Sequence, residues 1–121
     1  MTMTVLTVDD SRTMRDMLRL ALAQAGFEVL QAEDGVAGLE MLDLERPDVI
    51  VTDINMPRLD GFGFIEGVRS DERNRAIPIL VLTTESDGDK KMRARRAGAT
   101  GWIIKPFDPV KLVDAIRRVA A

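Results

Sequence analysis

A carboxylate closes one of the most apolar runs in this sequence. Val49, Ile50 and Val51 are β-branched and apolar, which is typical of a strand buried on both faces, and Thr52 and Asp53 follow them directly. An ionised carboxylate at the end of a core strand is costly unless a partner compensates its charge. The position of Asp53 therefore indicates a group kept for its chemistry.

Four of the five apolar runs end in a polar residue that could take part in chemistry. The first run ends in Asp9 and Asp10, the third in Asp53, the fourth in Thr83 and the fifth in Lys105. In a parallel sheet the carboxyl ends of the strands share one edge, where ligands bind. Each residue alone has an ordinary explanation, such as a helix cap or a solvated strand end. Together they predict one functional pocket.

Three carboxylates in one pocket require a compensating charge. Two like charges ~4 Å apart repel by roughly 4 kcal/mol at an effective dielectric constant of about 20. Either some of the groups bind protons or a cation neutralises them. Two carboxylates and waters, with positions left for a phosphate, are typical of Mg²⁺ sites, and Lys105 would face the same phosphate. An aspartate beside Mg²⁺ can also form an aspartyl phosphate, and Asp53 is the candidate.

The residue types that are missing limit the chemistry further. Without cysteine there is no disulfide or thiolate site, and without histidine the commonest general base and imidazole-bound zinc are excluded. A metal must therefore bind through oxygen, which favours Mg²⁺ or Ca²⁺. The net charge of −3 argues against nucleic acid as the main partner. No apolar run could span a membrane or serve as a signal peptide, so we expect a cytoplasmic protein.

Strands and helices are predicted to alternate along all 121 residues. The predicted strands are 5–8, 28–32, 48–52, 78–83 and 101–104, and a predicted helix follows each of them. Four of these helices have apolar residues at helical spacing, whereas the fourth, over residues 87–97, is polar. The predicted helix caps and stops are Asp10 or Ser11, Gly26, Asp34, Asp60, Gly98 and Asp108. Five βα units predict one α/β domain over residues 1–121, with a parallel sheet between two layers of helices.

The sequence resembles the receiver domains of bacterial two-component response regulators, and among them the stand-alone chemotaxis regulators. The resemblance covers the whole chain and rests on VDDSRTMR (8–15), VTDINMPRLDG (51–61), LTTES (82–86) and GWIIKPF (101–107). It implies a flavodoxin-like (βα)5 three-layer sandwich whose five-stranded sheet has the order 2-1-3-4-5. It also implies a monomeric switch with no membrane or nucleic-acid partner.

The resemblance implies a role for each residue of the pocket. Asp53 would accept a phosphoryl group from the phosphohistidine of a sensor kinase. Lys105 would contact the phosphoryl group, and Thr83 would donate a hydrogen bond to it. The Lys105–Pro106 peptide would be cis, which is uncommon even before proline. Such a site contributes mainly positioning and charge stabilisation.

A magnesium site and two tuning positions are implied in the same way. Asp10 and Asp53 would bind Mg²⁺ directly, Asp9 would act largely through water, and the backbone carbonyl of Asn55 would complete the ligands. Asn55 and Glu85, two residues beyond Asp53 and Thr83, would flank the attacking water and tune the phosphate lifetime. Two ordinary loop residues are the alternative.

The resemblance also points to a switch and to a partner surface. Trp102, the only tryptophan, stands where the family often has a rotating Tyr or Phe; a partly exposed strand aromatic is the alternative. A basic cluster in the fourth helix borders the surface that partners of the family contact, although such a cluster is more often a solvated helix face. The cluster comprises Lys90, Lys91, Arg93, Arg95 and Arg96.

The implied function is signalling through protein contact without turnover of an external substrate. The partners would be a sensor histidine kinase of the CheA type and an output protein such as the flagellar motor switch; a phosphate sink without output is an alternative. A haloacid-dehalogenase-type phosphatase would use similar residues, but it normally carries an acid where Asn55 stands. A flavin-binding module is disfavoured because Asp9 and Asp10 would repel its phosphate.

Overall fold

The structure, a computed structural model, describes residues 2–121 and contains five strands alternating with five helices. The strands are β1 Thr4–Val8, β2 Glu28–Ala32, β3 Val49–Thr52, β4 Ile79–Thr83 and β5 Gly101–Ile104. The helices are α1 Arg12–Gln24, α2 Gly35–Leu44, α3 Gly61–Ser70, α4 Gly88–Ala97 and α5 Pro109–Ala120. Within these described residues, no helix is long and apolar enough to cross a membrane.

The five strands form one parallel sheet in the order β2-β1-β3-β4-β5, which confirms the predicted fold class and strand order. Each strand begins within one residue of its predicted start. Val8 at the end of β1 is in register with Thr52 at the end of β3. The next residue of each strand is therefore an aspartate, and Asp9 and Asp53 stand side by side at the carboxyl edge.

Hydrophobic side chains fill a core on each face of the sheet. Along β3 the side chains alternate, so that Ile50 enters one core while Val49 and Val51 enter the other. Helices α2, α3 and α4 cover the first core, and α1 and α5 cover the second. Burial of β3 on both faces explains its unbroken apolar composition, which is the pattern expected of a central parallel strand.

Side-chain caps fix where the helices begin at the carboxyl edge of the sheet. Ser11, and not Asp10, caps α1, because its side chain accepts a hydrogen bond from the backbone N–H of Met14 at 3.2 Å. The predicted caps Asp34, Asp60 and Asp108 are confirmed. Because Ser11 provides the cap, the exposed Asp10 carboxylate is not required by the helix.

Candidate functional site

Three carboxylates meet at the carboxyl edge of the sheet. Oxygen atoms of Asp9, Asp10 and Asp53 lie within 4.8 Å of one another. Asp9 is 2% exposed and Asp53 9% exposed, whereas Asp10 is open to solvent. The backbone N–H of Asp53 donates to the carbonyl of Val8 at 2.9 Å, so the sheet ladder fixes Asp53 beside Asp9. An all-oxygen donor set of this size fits a hard divalent cation such as Mg²⁺.

The ammonium group of Lys105 bridges two of these carboxylates. Its Nζ donates to Asp9 Oδ2 at 2.8 Å and to Asp53 Oδ2 at 2.9 Å. The Lys105–Pro106 peptide is cis, as the family resemblance implied, and the Lys105 N–H donates to the carbonyl of Thr83 at 2.8 Å. One ammonium compensates one of the three negative charges, so the cluster retains an excess of two. That excess favours a divalent cation.

The shifted pKa values of the pocket follow from burial and from Lys105. Burial raises the pKa of Asp9, and this exceeds the lowering by hydrogen bonds from Lys105 and from the Ser11 N–H. Burial alone would lower the pKa of Lys105, but its hydrogen bonds to Asp9 and Asp53 outweigh that effect and raise it. Lys105 therefore stays charged at neutral pH, while Asp9 binds a proton more readily than an ordinary aspartate.

Thr83, Glu85 and Asn55 form a connected rim beside the carboxylates. The Thr83 hydroxyl is fully buried and accepts a hydrogen bond from the Glu85 N–H at 3.3 Å. Asn55 Nδ2 donates to Glu85 Oε1 at 3.2 Å. The two residues predicted to tune the phosphate lifetime are thus in direct contact. Lys90 Nζ also donates to Glu85 Oε1, at 3.1 Å, which the sequence analysis did not anticipate.

The indole ring of Trp102 is attached to the same rim. Its Nε1–H donates to the backbone carbonyl of Glu85 at 3.1 Å, and the half-buried ring packs against the core under α2, α3 and α4. A cavity of about 250 Å³ lies beside it between α4 and β5, lined in part by Lys91 and Arg95. In the basic cluster, Arg93 instead stacks on the buried Phe62 ring, 4.1 Å from its centroid. The role of Trp102 as a switch stays a prediction.

Two further contacts hold the β3–α3 loop (residues 53–60) in place. Arg58 forms a two-point ion pair with Asp34, with Nε–Oδ2 and Nη2–Oδ1 distances of 2.7 and 3.1 Å. Where the loop joins α3, a Cβ at Gly61 would lie 2.3 Å from the carbonyl oxygen of Asp53, so α3 can begin there only with glycine. The loop that carries Asn55 is therefore fixed at Arg58 and at its junction with α3.

The Arg58–Asp34 pair was missed by the sequence analysis, which identified Asp34 only as a helix cap. The two residues stand 24 positions apart, and no local spacing pattern joins them. The backbone of Arg58 has a φ of 66°, in the left-handed region that is strained for a residue other than glycine. A strained backbone at a residue with a long polar side chain is a signal that only the coordinates reveal.

Substitutions at Arg58 are expected to separate the ion pair from the backbone strain. Arg58→Ala loses the pair and keeps the strain, whereas Arg58→Gly loses the pair and relieves the strain, so we expect Arg58→Gly to melt a few degrees higher. The guanidinium lowers the pKa of Asp34, so the pair stabilises the protein above the ordinary aspartate pKa, and this contribution is lost as pH falls through the lowered pKa.

Thermal melts from pH 7 down to pH 3 test both expectations. The difference in melting temperature between the wild type and either variant should become smaller as the pH is lowered. A constant gap over that range, or equal melting temperatures for the two variants, would contradict the assignment.

The chain matches the response regulator receiver domain family over residues 5–117. It belongs to that family. Over 119 residues it is 41% identical to the chemotaxis protein CheY1 of Helicobacter pylori, which covers 97% of this chain and 96% of that protein. It is 37% identical to the chemotaxis protein CheY of Pseudomonas aeruginosa over 118 residues, covering 97% and 95% of the two chains.

Solved structures show the same fold with high similarity. The chemotaxis protein CheY4 of Vibrio cholerae superposes with a TM-score of 0.94 at 43% identity, over 98% of this chain and 99% of that one. The receiver domain of a sensor histidine kinase from Pseudomonas aeruginosa has a TM-score of 0.92 at 25% identity, over 99% of this chain and 98% of that one. That structure has a magnesium ion coordinated in its active site cleft. The phosphatase and phosphate-sink alternatives are not favoured, since the chain belongs to the receiver family and its relatives include chemotaxis proteins.

Proposed function

We propose that residues 1–121 work as a single receiver domain that accepts a phosphoryl group on Asp53 from a sensor histidine kinase. In the phosphorylated state the domain would bind an output protein in a chemotaxis pathway. One observation carries the proposal: the Asp53 carboxylate lies among Asp9, Asp10 and Lys105 at the open edge of a receiver fold. The similarity to chemotaxis proteins over nearly the whole chain supports the choice of pathway.

The chemistry is an in-line transfer of a phosphoryl group. A carboxylate oxygen of Asp53 forms a bond to phosphorus while the bond from phosphorus to the histidine nitrogen of the kinase breaks. The Lys105 ammonium, now held by Asp9 and Asp53, is within reach of an added phosphoryl oxygen, and the Thr83 hydroxyl can donate to a second one. Asp10, Asp53 and the Asn55 carbonyl would hold Mg²⁺ directly and Asp9 largely through water, and the bound cation would supply positive charge to the transferred group.

Output would follow from the rim of the pocket. The Thr83 hydroxyl accepts from the Glu85 N–H, and the Glu85 carbonyl accepts from the Trp102 indole, so a movement of Thr83 toward the phosphoryl group can be transmitted to β5. A ligand shifts such an equilibrium only by preferring one state. We propose a CheA-like kinase and the flagellar motor switch as partners of a cytoplasmic monomer that turns over no external substrate.

Phosphotransfer from a kinase tests this function directly. A histidine kinase of the chemotaxis type, labelled on its phosphohistidine, should lose its label to this chain within minutes when Mg²⁺ is present. An immobilised motor-switch protein should then retain the chain only with a phosphoryl mimic such as beryllofluoride. Multiple-turnover hydrolysis of a generic phosphate ester without label transfer would instead favour the phosphatase alternative.

Millimolar Mg²⁺ is expected to raise the melting temperature of the protein. Binding to the folded state alone adds about 1.4 kcal/mol to the free energy of unfolding at a concentration ten times Kd. Asp10→Asn is the matched control, and its melting temperature should rise less with Mg²⁺ because a ligand is lost. Asp10 is exposed and does not cap α1, yet it contributes an oxygen to the cluster. Differential scanning fluorimetry with a Mg²⁺ titration measures the effect. A wild-type melt that Mg²⁺ leaves unmoved would contradict the assigned ligands.

Emission from Trp102 is expected to report activation. The protein has one tryptophan and no tyrosine, so the emission belongs to Trp102 alone. We expect beryllofluoride with Mg²⁺ to shift it to shorter wavelength and to reduce acrylamide quenching, because the half-buried ring moves further from water. Thr83→Ala should blunt both changes while the melting shift with Mg²⁺ is retained. Unchanged emission and quenching in the activated wild type would rule out Trp102 as the switch.

A further inference from the structure

Glu85 places a fourth carboxylate at the rim of the phosphorylation pocket. Its Oε1 accepts hydrogen bonds from Asn55 Nδ2 at 3.2 Å and from Lys90 Nζ at 3.1 Å, and its backbone N–H donates to Thr83. The hydrogen bonds from Lys90 and Asn55 lower the pKa of Glu85, so the carboxylate is ionised at neutral pH. An ionised group therefore lies beside the path to Asp53.

The charges of the pocket and of its rim indicate what Lys90 does beside Glu85. Three carboxylates, the Lys105 ammonium and a divalent cation add up to zero net charge inside the pocket. Whether the entrance repels an anion then depends on the net charge of the rim. Glu85 contributes one negative charge there, and Lys90 contributes one positive charge. Every phosphoryl donor is anionic, so an uncompensated Glu85 would oppose its approach.

Lys90 differs in this respect from its neighbour on α4. Lys91 lines the cavity between α4 and β5, on the Trp102 side of the helix. The Lys90 side chain is 42% exposed and that of Glu85 27% exposed, so their ion pair adds little to the free energy of unfolding. The pair is therefore better explained by an effect on the pocket than by an effect on stability.

We propose that Lys90 is a positioning residue for phosphorylation: it neutralises Glu85 and holds that carboxylate against Asn55, so that an anionic phosphoryl donor can reach Asp53. The proposal rests on the proposed function of Asp53 and adds a residue of α4 to it. Lys90 also belongs to the basic cluster on α4. An acidic partner that binds Lys90 would therefore change the charge at the entrance to the pocket.

The test compares small phosphoryl donors of different charge at saturating Mg²⁺. Acetyl phosphate is a dianion at neutral pH and phosphoramidate is a monoanion. We expect Lys90→Met to lower the second-order rate constant with acetyl phosphate by roughly three- to tenfold, and with phosphoramidate by less. Lys91→Met removes the same charge from the same helix and should stay within about twofold of wild type. Lys90→Arg should restore the rate.

A second substitution identifies Glu85 as the group that Lys90 neutralises. Glu85→Gln in the Lys90→Met background should return the acetyl phosphate rate to near the wild-type value, and added salt should narrow the deficit of Lys90→Met. Equal rates for Lys90→Met and Lys91→Met, equal losses with both donors, or no recovery with Glu85→Gln would overturn the proposal. Failure of the wild-type protein to become phosphorylated would instead refute the proposed function of Asp53.

Discussion

Replacing Asp53 by asparagine is expected to abolish phosphorylation by acetyl phosphate in the presence of Mg²⁺. Asparagine keeps the shape of the side chain and an oxygen for the hydrogen bond from Lys105, but its neutral amide is not a nucleophile at neutral pH. Intact-protein mass spectrometry should show one added phosphoryl group on the wild-type protein and none on the variant. Hydroxylamine should remove the group from the wild-type protein, because an acyl phosphate is labile to it.

The control for this prediction is the same substitution at another loop. Asp60 caps α3, asparagine caps helices equally well, and we place Asp60 outside the pocket, so Asp60→Asn should be phosphorylated as the wild type is. Both variants should retain the circular dichroism spectrum of the folded protein. A hydroxylamine-resistant phosphoester that persists in Asp53→Asn would point to a serine or threonine and would contradict the receiver mechanism.

Replacing Lys105 by methionine is expected to lower the free energy of unfolding by about 3 kcal/mol at pH 7 without Mg²⁺. The Lys105 side chain is 10% exposed, and its ammonium bonds to Asp9 and Asp53, whose side chains taken alone are 2% and 11% exposed. Its removal leaves Asp9 and Asp53 facing each other in a buried position without compensation. Urea unfolding at pH 7 measures the loss, with the exposed Lys111→Met on α5 as the control.

Mg²⁺ and acid should each reduce this loss, and for different reasons. A divalent cation would supply the missing positive charge. Burial already raises the pKa of Asp9, and without Lys105 it rises further, so the folded variant binds a proton more readily than the unfolded chain does. Stability of the variant relative to wild type therefore improves as pH falls through that raised pKa. A loss that is the same at pH 7 and pH 5, with and without Mg²⁺, would show that packing and not charge is responsible.

The alternation of strands and helices could be read from the sequence because its causes are local. Apolar runs, helical spacing and caps such as Asp34 and Asp108 act over a few residues, and the structure confirms them. The residues of the pocket were found for a related reason. The carboxyl ends of parallel strands must share an edge, so the residues after β1, β3 and β5 and the last residue of β4 were expected to converge before any distance was known.

The contacts between those residues needed the tertiary structure. Lys105 meets Asp9 across 96 positions of the chain, and Arg58 meets Asp34 across 24. No periodicity links residues so far apart, because their separation depends on strand order and on the course of the loops. From the sequence, protons or a metal ion were expected to balance the carboxylates, and Lys105 was expected to face the phosphate. The fold makes Lys105 the first compensating charge.

At the rim of the pocket, some residues were identified from the sequence, whereas their contacts depend on the tertiary structure. Glu85 and Asn55 were identified from their positions two residues after Thr83 and Asp53, whereas Lys90 was assigned only to a basic helix face. Which basic side chain of α4 turns toward Glu85 depends on how that helix packs over β4 and β5. The sequence thus determined which residues could do chemistry and at which edge they gather. Tertiary packing alone decided which charges touch, because an ion pair depends on distances of a few ångströms that helix placement sets.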